Sequence, residues 1–364
     1  MGTAARVVVL PKEEGPLRVE DVIISDPGPT QVLVKQFASG ICHSQLHEMH
    51  RPNRPNPVVL GHESTGVVLK AGSRVDHVKE GDTVMVTWIA RDPEKASNPP
   101  LPATVEVSDG TAMAQGVYTW ADHTLVDQQY VVKVDPNIKK DVTAIIGCAV
   151  MTGAGAVISK AKVQPGQSVA IFGIGGVGLS AVAGAKMAGA NPIIVVDLDD
   201  EKLEFGRKFG ATHCINARKE DPVKAIRRLT TPEGLSSMET RYLSGVDYSF
   251  DCIGVRQTME QIIPVLRRGR IGVVSGGTGI LVGIPQTPME VMPMDVIGGE
   301  KYLTGTLAGN SVPERDFPIF LKWYEQGNLD LDALVTARYT IDQINEATTA
   351  LEKGQIKGRA ILEF

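Results

Sequence analysis

Hydrophobic and polar positions change rhythm along the chain. The first third carries short β-branched runs, "AARVVVL", "DVIIS", "QVLVKQFASG", "STGVVLKAG" and "DTVMVTW". Turn residues in "DPGP", "AGS" and "EGD" separate them. That spacing predicts an antiparallel, barrel-like domain. Residues 90–117, "ARDPEKASNPPLPATVEVSDGTAMAQGV", are Pro-rich and weakly patterned, and read as a surface lobe or loop. Near residue 150 strands begin to alternate with helices: "SVAIF", "GLSAVAGAKMAG", "PIIVVD" and "DEKLEFGRKFG", with further strands in "VDYSFDCIG" and "RIGVVSGG". This predicts βαβ units in a parallel, doubly wound sheet, so the fold class is α/β with a β-rich partner domain. The tail, "ALVTARYTIDQINEATTALEKGQIKGRAILEF", reads as strand, helix and strand that return to the first domain.

The 364 residues are enough for two ordinary domains. Apolar residues make up 43% and charged residues 22%, as expected for a globular chain. A net charge of −5 gives no electrostatic footprint for nucleic acid or an anionic membrane. No apolar run approaches the ~18 residues of a membrane span, and the N-terminus lacks a signal-peptide pattern. The four cysteines, Cys42, Cys148, Cys214 and Cys252, are few and dispersed, which predicts a reducing, cytoplasmic setting.

"SVAIFGIGGVGLS" places Gly173, Gly175 and Gly178 in G-x-G-x-x-G spacing, with Gly176 between them. An apolar strand precedes the loop and an Ala-rich helix follows it. A second strand ends in Asp197, about 20 residues on, where a dinucleotide fold wants its acid. The first glycine permits the tight turn, the second admits the pyrophosphate and the third lets helix and strand pack. Free N–H groups at the helix start meet the phosphates. Asp197 would accept from the adenosine ribose hydroxyls and repel a 2′-phosphate, which favours NAD. The competing reading is a Gly-rich turn in an ordinary α/β domain.

"GICHSQLHEMH" crowds Cys42, His43, His47 and His50 together, "GHE" supplies His62 and Glu63, and "GCAV" supplies Cys148. Zinc prefers Cys and His, and three protein ligands with an open fourth position make a catalytic site. The scattered spacing suits assembly by tertiary folding, not a zinc finger. Taken alone, each residue is better read as core packing or as a hydrogen-bonded structural group than as a ligand.

Together these residues carry a resemblance. Gly61, His62, Glu63, Gly66, Gly72 and Val75 fit "GHE-x2-G-x5-G-x2-V", which resembles the signature of zinc-dependent medium-chain alcohol dehydrogenases. "GICxS…H", "GC…TG.GA", "FGIGGVGLS" and "GRAILEF" follow the same family's order, so the resemblance covers nearly the whole chain. It implies a discontinuous GroES-like catalytic domain at 1–149 and 310–364, with a Rossmann NAD-binding domain at 150–309. It implies Cys42, His62 and Cys148 as ligands of a catalytic Zn2+. Glu63 would approach the metal, Ser44 contact the substrate oxygen, and His47 end the proton relay. Thr152 and Val177 would hold the nicotinamide, and Gly173, Gly175, Gly176 and Gly178 the phosphates. Lys202 would join Asp197 at the ribose, and Arg359 would meet the pyrophosphate. The implied chemistry is reversible hydride transfer between a primary or secondary alcohol and NAD+, with zinc as Lewis acid. The family also implies a homodimer or homotetramer, for which "GILVGIP" (Gly279 to Pro285) could supply an edge strand.

Three positions depart from the family's habit. Gln45 stands where Asp usually orients the zinc-bound His, so the imidazole is made less basic and the zinc is expected to be bound more weakly. His43 stands where Arg commonly contacts the pyrophosphate; either NAD affinity weakens as this histidine loses its charge, or His43 merely faces solvent. The 90–117 lobe holds no cysteine, which predicts one zinc per subunit and no structural zinc there. Trp88 reads equally as a substrate-pocket aromatic or as core. His50, His77, His123 and His213 read as surface or structural, and Cys214 and Cys252 as packing. The rival functions are a polyol or sugar-alcohol dehydrogenase, a zinc-free quinone or enone reductase, and a non-catalytic NAD-binding protein keeping the fold.

Overall fold

The computed structural model describes residues 2–364 apart from 97, 98, 115, 235–238, 240–242 and 271. Two compact units emerge, one of residues 1–149 with 312–364 and one of residues 150–311.

The first unit is built on β1 (Thr3–Leu10), β2 (Arg18–Ile24), β3 (Gln31–Ile41), β4 (Val58–Val59), β5 (Ser64–Ala71), β6 (Thr83–Val86), β7 (Thr104–Val107), β8 (Gly110–Met113), β9 (His123–Asp127) and β10 (Val131–Lys133). A five-stranded sheet runs β2-β1-β4-β8-β7. The 90–117 lobe is therefore not all loop, because β7 and β8 form a hairpin inside it and extend this sheet. Its strands are four residues each and sit close to prolines, too short for a period-two pattern to stand out. The second sheet centres on β3. Its side chains are buried on nearly every position, which is why its sequence reads as a run rather than an alternation. Trp120 is 1% exposed, and its indole N–H donates to the Gly40 carbonyl at 3.0 Å, fixing the end of β3 beside Cys42.

The second unit carries β11 (Val169–Phe172), β12 (Ile193–Asp197), β13 (His213–Asn216), β14 (Tyr248–Asp251), β15 (Thr278–Leu281) and β16 (Tyr302–Gly305). They form one parallel sheet in the order β13-β12-β11-β14-β15-β16. Strand order reverses at β11, the switch point where such sheets bind ligands. Two expectations are corrected here. The described residues of "RIGVVSGG" form no strand: Arg270 and Val274 close a turn by an isolated bridge, with Val273 72% exposed, and Ile271 lies outside the described residues. The glycines on either side of that β-branched run favour a turn over a strand. "GILVGIP" does not supply an edge either, because β15 pairs on both sides; the two edges of this sheet are β13 and β16.

The chain then returns to the first unit. β17 (Val335–Thr340), the helix Ile344–Glu352 and β18 (Arg359–Glu363) follow. β18 lies between β17 and β3, pairing antiparallel with Ala38–Ile41. The earlier half of β3, Gln31–Lys35, pairs with β9, and β5 runs along its other edge.

Candidate metal and cofactor sites

The end of β3 delivers Cys42, which is the N-cap of the helix His43–Met49. Just before β5, the loop carries His62 and Glu63. A short 3-10 helix, Val142–Gly147, delivers Cys148. One ligand atom from each of Cys42, His62 and Cys148 falls within 4.8 Å of the others. The two sulfurs stand 4.0 Å apart as free thiols. His62 Nε2 is buried with no hydrogen-bond partner, while Nδ1 faces Gln45 Nε2. A buried imidazole nitrogen without a partner, aimed with two sulfurs, is a Lewis-base set that fits Zn2+. The Cys148 thiol holds Cys42 well below the ordinary thiol range, helped by Arg359 and His62. Cys148 is pushed up by Cys42 and by burial. The shift on Cys42 favours its thiolate, the form a metal takes up.

Glu63 lies beneath this set, fully buried. Burial pushes its carboxyl up to about 7, against the pull of Arg359. Its Oε1 pairs with Arg359 Nη2, and Ala149 N–H donates to Oε2 at 3.4 Å. Two motif glycines make room for it. A Cβ on Gly40 would stand 2.2 Å from Glu63 Oε1, and one on Gly147 would stand 3.0 Å from Glu63 Cβ. Sequence reasoning missed this: the glycines of "GIC" and "GC" leave space for a carboxylate distant in sequence. Arg359, the residue expected at the pyrophosphate, is 5% exposed and engaged by Glu63, with Cys42 and Cys148 sustaining its charge against burial.

Ser44 and His47 occupy one face of the helix, three residues apart. Ser44 Oγ is buried and has no hydrogen-bond partner. His43 is exposed at the first helical position. Trp88 meets His62 edge-on, ring centroids 6.2 Å apart, and also packs beside the valine cluster of the barrel. Gln45 takes the expected place next to His62. His50 is exposed beside Glu352, and His77 Nε2–H donates to the Val131 carbonyl at 3.0 Å, in keeping with structural roles.

In the second unit, the glycine loop joins β11 to the helix Gly176–Met187. A Cβ on Gly178 would come within 1.8 Å of the Gly173 carbonyl oxygen, so the third glycine is obligatory. A Cβ on Gly175 would meet nothing within 4 Å; it would project into open space before the helix N-terminus. That cradle, with the free N–H groups of the helix start, fits a pyrophosphate. Asp197 ends β12 with its carboxylate fixed by N–H groups of Ile174 at 2.8 Å, Leu198 at 2.7 Å and Asp199 at 3.2 Å. Val177 sits in the first turn of the helix, Lys202 is half-buried on the helix Asp200–Phe209, and Thr152 Oγ1 is buried without a partner. Cys252 is half-buried and its thiol is pushed up by burial, as packing cysteines are.

A GroES-like sheet unit with a Cys, His, Cys metal set, and a Rossmann unit with an acid-terminated second strand, define a zinc-binding dehydrogenase. The family models agree. The Alcohol dehydrogenase GroES-like domain matches residues 28–136, and the Zinc-binding dehydrogenase domain matches residues 176–326. An alcohol dehydrogenase class-3 of Cereibacter sphaeroides is 31% identical over 98% of this chain and 98% of its own length. The solved structure of an alcohol dehydrogenase zinc-binding domain protein from Burkholderia ambifaria is 29% identical, with a TM-score of 0.87 over 100% of both chains. Benzyl alcohol dehydrogenase from Acinetobacter calcoaceticus is 28% identical, with a TM-score of 0.84 over 100% of this chain and 99% of its own. The chain belongs to the zinc-dependent medium-chain alcohol dehydrogenases, oxidoreductases that interconvert alcohols and carbonyl compounds. No helix among the described residues is long and apolar enough to cross a membrane.

Proposed function

We propose that this chain is an NAD-linked dehydrogenase of primary or secondary alcohols with one catalytic zinc held by Cys42, His62 and Cys148. The observation that carries the reading is His62 Nε2, buried without a partner in the same 4.8 Å cluster as two thiols. Zinc, when bound, supplies Lewis acidity toward the substrate oxygen, and NAD+ supplies the hydride acceptor.

The chain's own residues do the rest. Ser44 Oγ, lacking a partner, is the acceptor for the alcohol proton, and His47, three residues on along the same helix face, passes it toward solvent. Gly173, Gly175, Gly176, Val177 and Gly178 hold the dinucleotide phosphates and nicotinamide end, with Thr152 beside them. Asp197 and Lys202 hold the adenosine ribose, and the acids Asp199, Asp200 and Glu201 nearby add to the repulsion of a 2′-phosphate. Trp88 forms an aromatic wall next to His62, which favours aryl or bulky apolar alcohols, in line with the benzyl alcohol enzyme among the relatives. His43, first in its helix, is assigned to the cofactor side.

Arg359 is assigned first to Glu63, with its buried, unpartnered Nε left for a cofactor phosphate. Assembly as a homodimer is supported by β16, an unpaired edge with Tyr302 55% and Leu307 73% exposed close by. Four free thiols suit the cytoplasm.

The test is NAD+ reduction over aliphatic, aromatic, terpenoid and polyol alcohols, with zinc measured on the same sample. Turnover of aromatic alcohols with one zinc per chain is expected. Turnover of polyols alone, or zinc-free protein with no turnover, overturns the reading.

A further inference from the structure

The amide of Gln45 stands between two groups that make incompatible demands on it. Its Oε1 accepts from the Cys42 backbone N–H at 3.3 Å and so caps the helix His43–Met49. Its Nε2 faces His62 Nδ1. Gln45 is itself 6% exposed, so water does not readily substitute for either contact.

The side of the His62 ring left to the metal decides which contact survives metal binding, an inference that rests on the zinc reading above. A neutral imidazole carries one ring proton. With the Nε2 lone pair given to a metal, that proton resides on Nδ1, and Nδ1 is a donor. The Cys42 N–H is a donor in every state. Two donors then converge on an amide with one acceptor oxygen, and its nitrogen only donates. The oxygen has two lone pairs, but the two ends of the amide face different donors, so in either orientation the oxygen lies at Cys42 N–H or at Nδ1 and the NH2 group lies at the other. A carboxylate, with two acceptor oxygens, would satisfy them together.

We infer that Gln45 is a positioning residue that exchanges the helix cap for the metal ligand. In the metal-free arrangement its oxygen caps Cys42 and its NH2 group donates to Nδ1. In the zinc-loaded arrangement the amide turns, its oxygen takes the Nδ1 proton, and the Cys42 N–H is left without an acceptor. Zinc is held more weakly than a carboxylate would allow, because one buried donor is unsatisfied. The helix start that carries Ser44 and His47 is looser in the loaded enzyme than in the empty one.

Gln45→Glu keeps the side-chain length and replaces the NH2 group by an acceptor. Zinc affinity, measured by competition with a chromophoric chelator, is expected to rise by about tenfold or more. Added charge alone could raise affinity, so the second readout is amide hydrogen exchange at Cys42, compared between the two zinc-loaded proteins. Ligation is common to both, and only the acceptor differs. Cys42 is expected to exchange about tenfold faster in the zinc-loaded parent than in zinc-loaded Q45E. Equal zinc affinity in the two proteins, or equal Cys42 exchange in the two loaded forms, overturns the inference while leaving the metal site intact. A parent chain that takes up no zinc overturns the metal reading and this inference together.

Discussion

Replacing Lys301 by Met removes a positive charge that the fold has taken almost wholly out of water. Lys301 is 6% exposed and lies immediately before β16. Its ammonium donates to the Ile263 carbonyl at 2.7 Å. Its neighbours repel it: Arg227 bonds to the Pro264 carbonyl and Arg268 to the Gly298 carbonyl, so both guanidinium groups stay close, and Asp295 offsets them only in part. Burial, then Arg227, bring the ammonium down from 10.5 to about 8. A group whose folded pKa lies below its unfolded value binds fewer protons when folded, so stability rises with pH between those two values. Below pH 8 the penalty is complete. At about 1.4 kcal/mol per unit its ceiling is about 3 kcal/mol, and residual access to solvent trims that to about 2 kcal/mol. Losing the Ile263 bond costs about 1 kcal/mol in return. Lys301→Met is therefore expected to gain about 1 kcal/mol at pH 6.5, to lose that advantage as pH passes 8, and to be the less stable protein near pH 10.5. Urea unfolding midpoints of the full chain at several pH values measure the crossing. A variant less stable at pH 6.5, or a difference that does not change with pH, refutes the reasoning.

The remaining predictions concern the two sites. Cys148→Ala or Cys42→Ala is expected to bring bound zinc to background by elemental analysis, with far-ultraviolet circular dichroism preserved; full zinc content in either would remove that residue from the ligand set. Gly40→Ala drives a methyl group into the Glu63 carboxylate and is expected to cost about 1–3 kcal/mol, read as a lower melting temperature; an unchanged value would contradict the close approach. Asp197→Ala is expected to lower kcat/KM for NAD+ by about tenfold while raising it for NADP+, since one charged hydrogen-bond acceptor and one source of repulsion disappear together. Unaltered preference between the two cofactors would assign Asp197 to loop geometry alone. Gly178→Ala, which cannot avoid the Gly173 carbonyl, is expected to abolish measurable NAD+ binding by calorimetry.

Local sequence carried some of this architecture and not the rest, for physical reasons. The loop from Gly173 to Gly178 was legible because strand, turn, helix and acid follow one another within one βαβ unit. Cys42, His62 and Cys148 were legible only through a family pattern, since no local spacing links residues on a strand end, a loop and a 3-10 helix. The partner of Arg359 was hidden because Glu63 lies 296 positions away and the contact exists only once β18 is beside β3. The hairpin of β7 and β8 was hidden by its brevity. "RIGVVSGG" misled because β-branched residues also occur in exposed turns when glycines set the backbone. The sheet edge was misassigned because hydrophobicity marks burial in the middle of a parallel sheet at least as often as an interface.

The place of β18 in the sheet has a consequence for synthesis. Residues 150–311 are contiguous, so the ribosome releases the whole Rossmann unit as one foldable length. The barrel waits: the later half of β3 keeps an open edge, and Glu63 has no counter-cation, until residues 359–363 emerge. During that interval the nascent chain carries an unpaired strand beside two free thiols. The order of translation thus leaves the metal-binding unit as the last to close and the first to need protection from aggregation or oxidation.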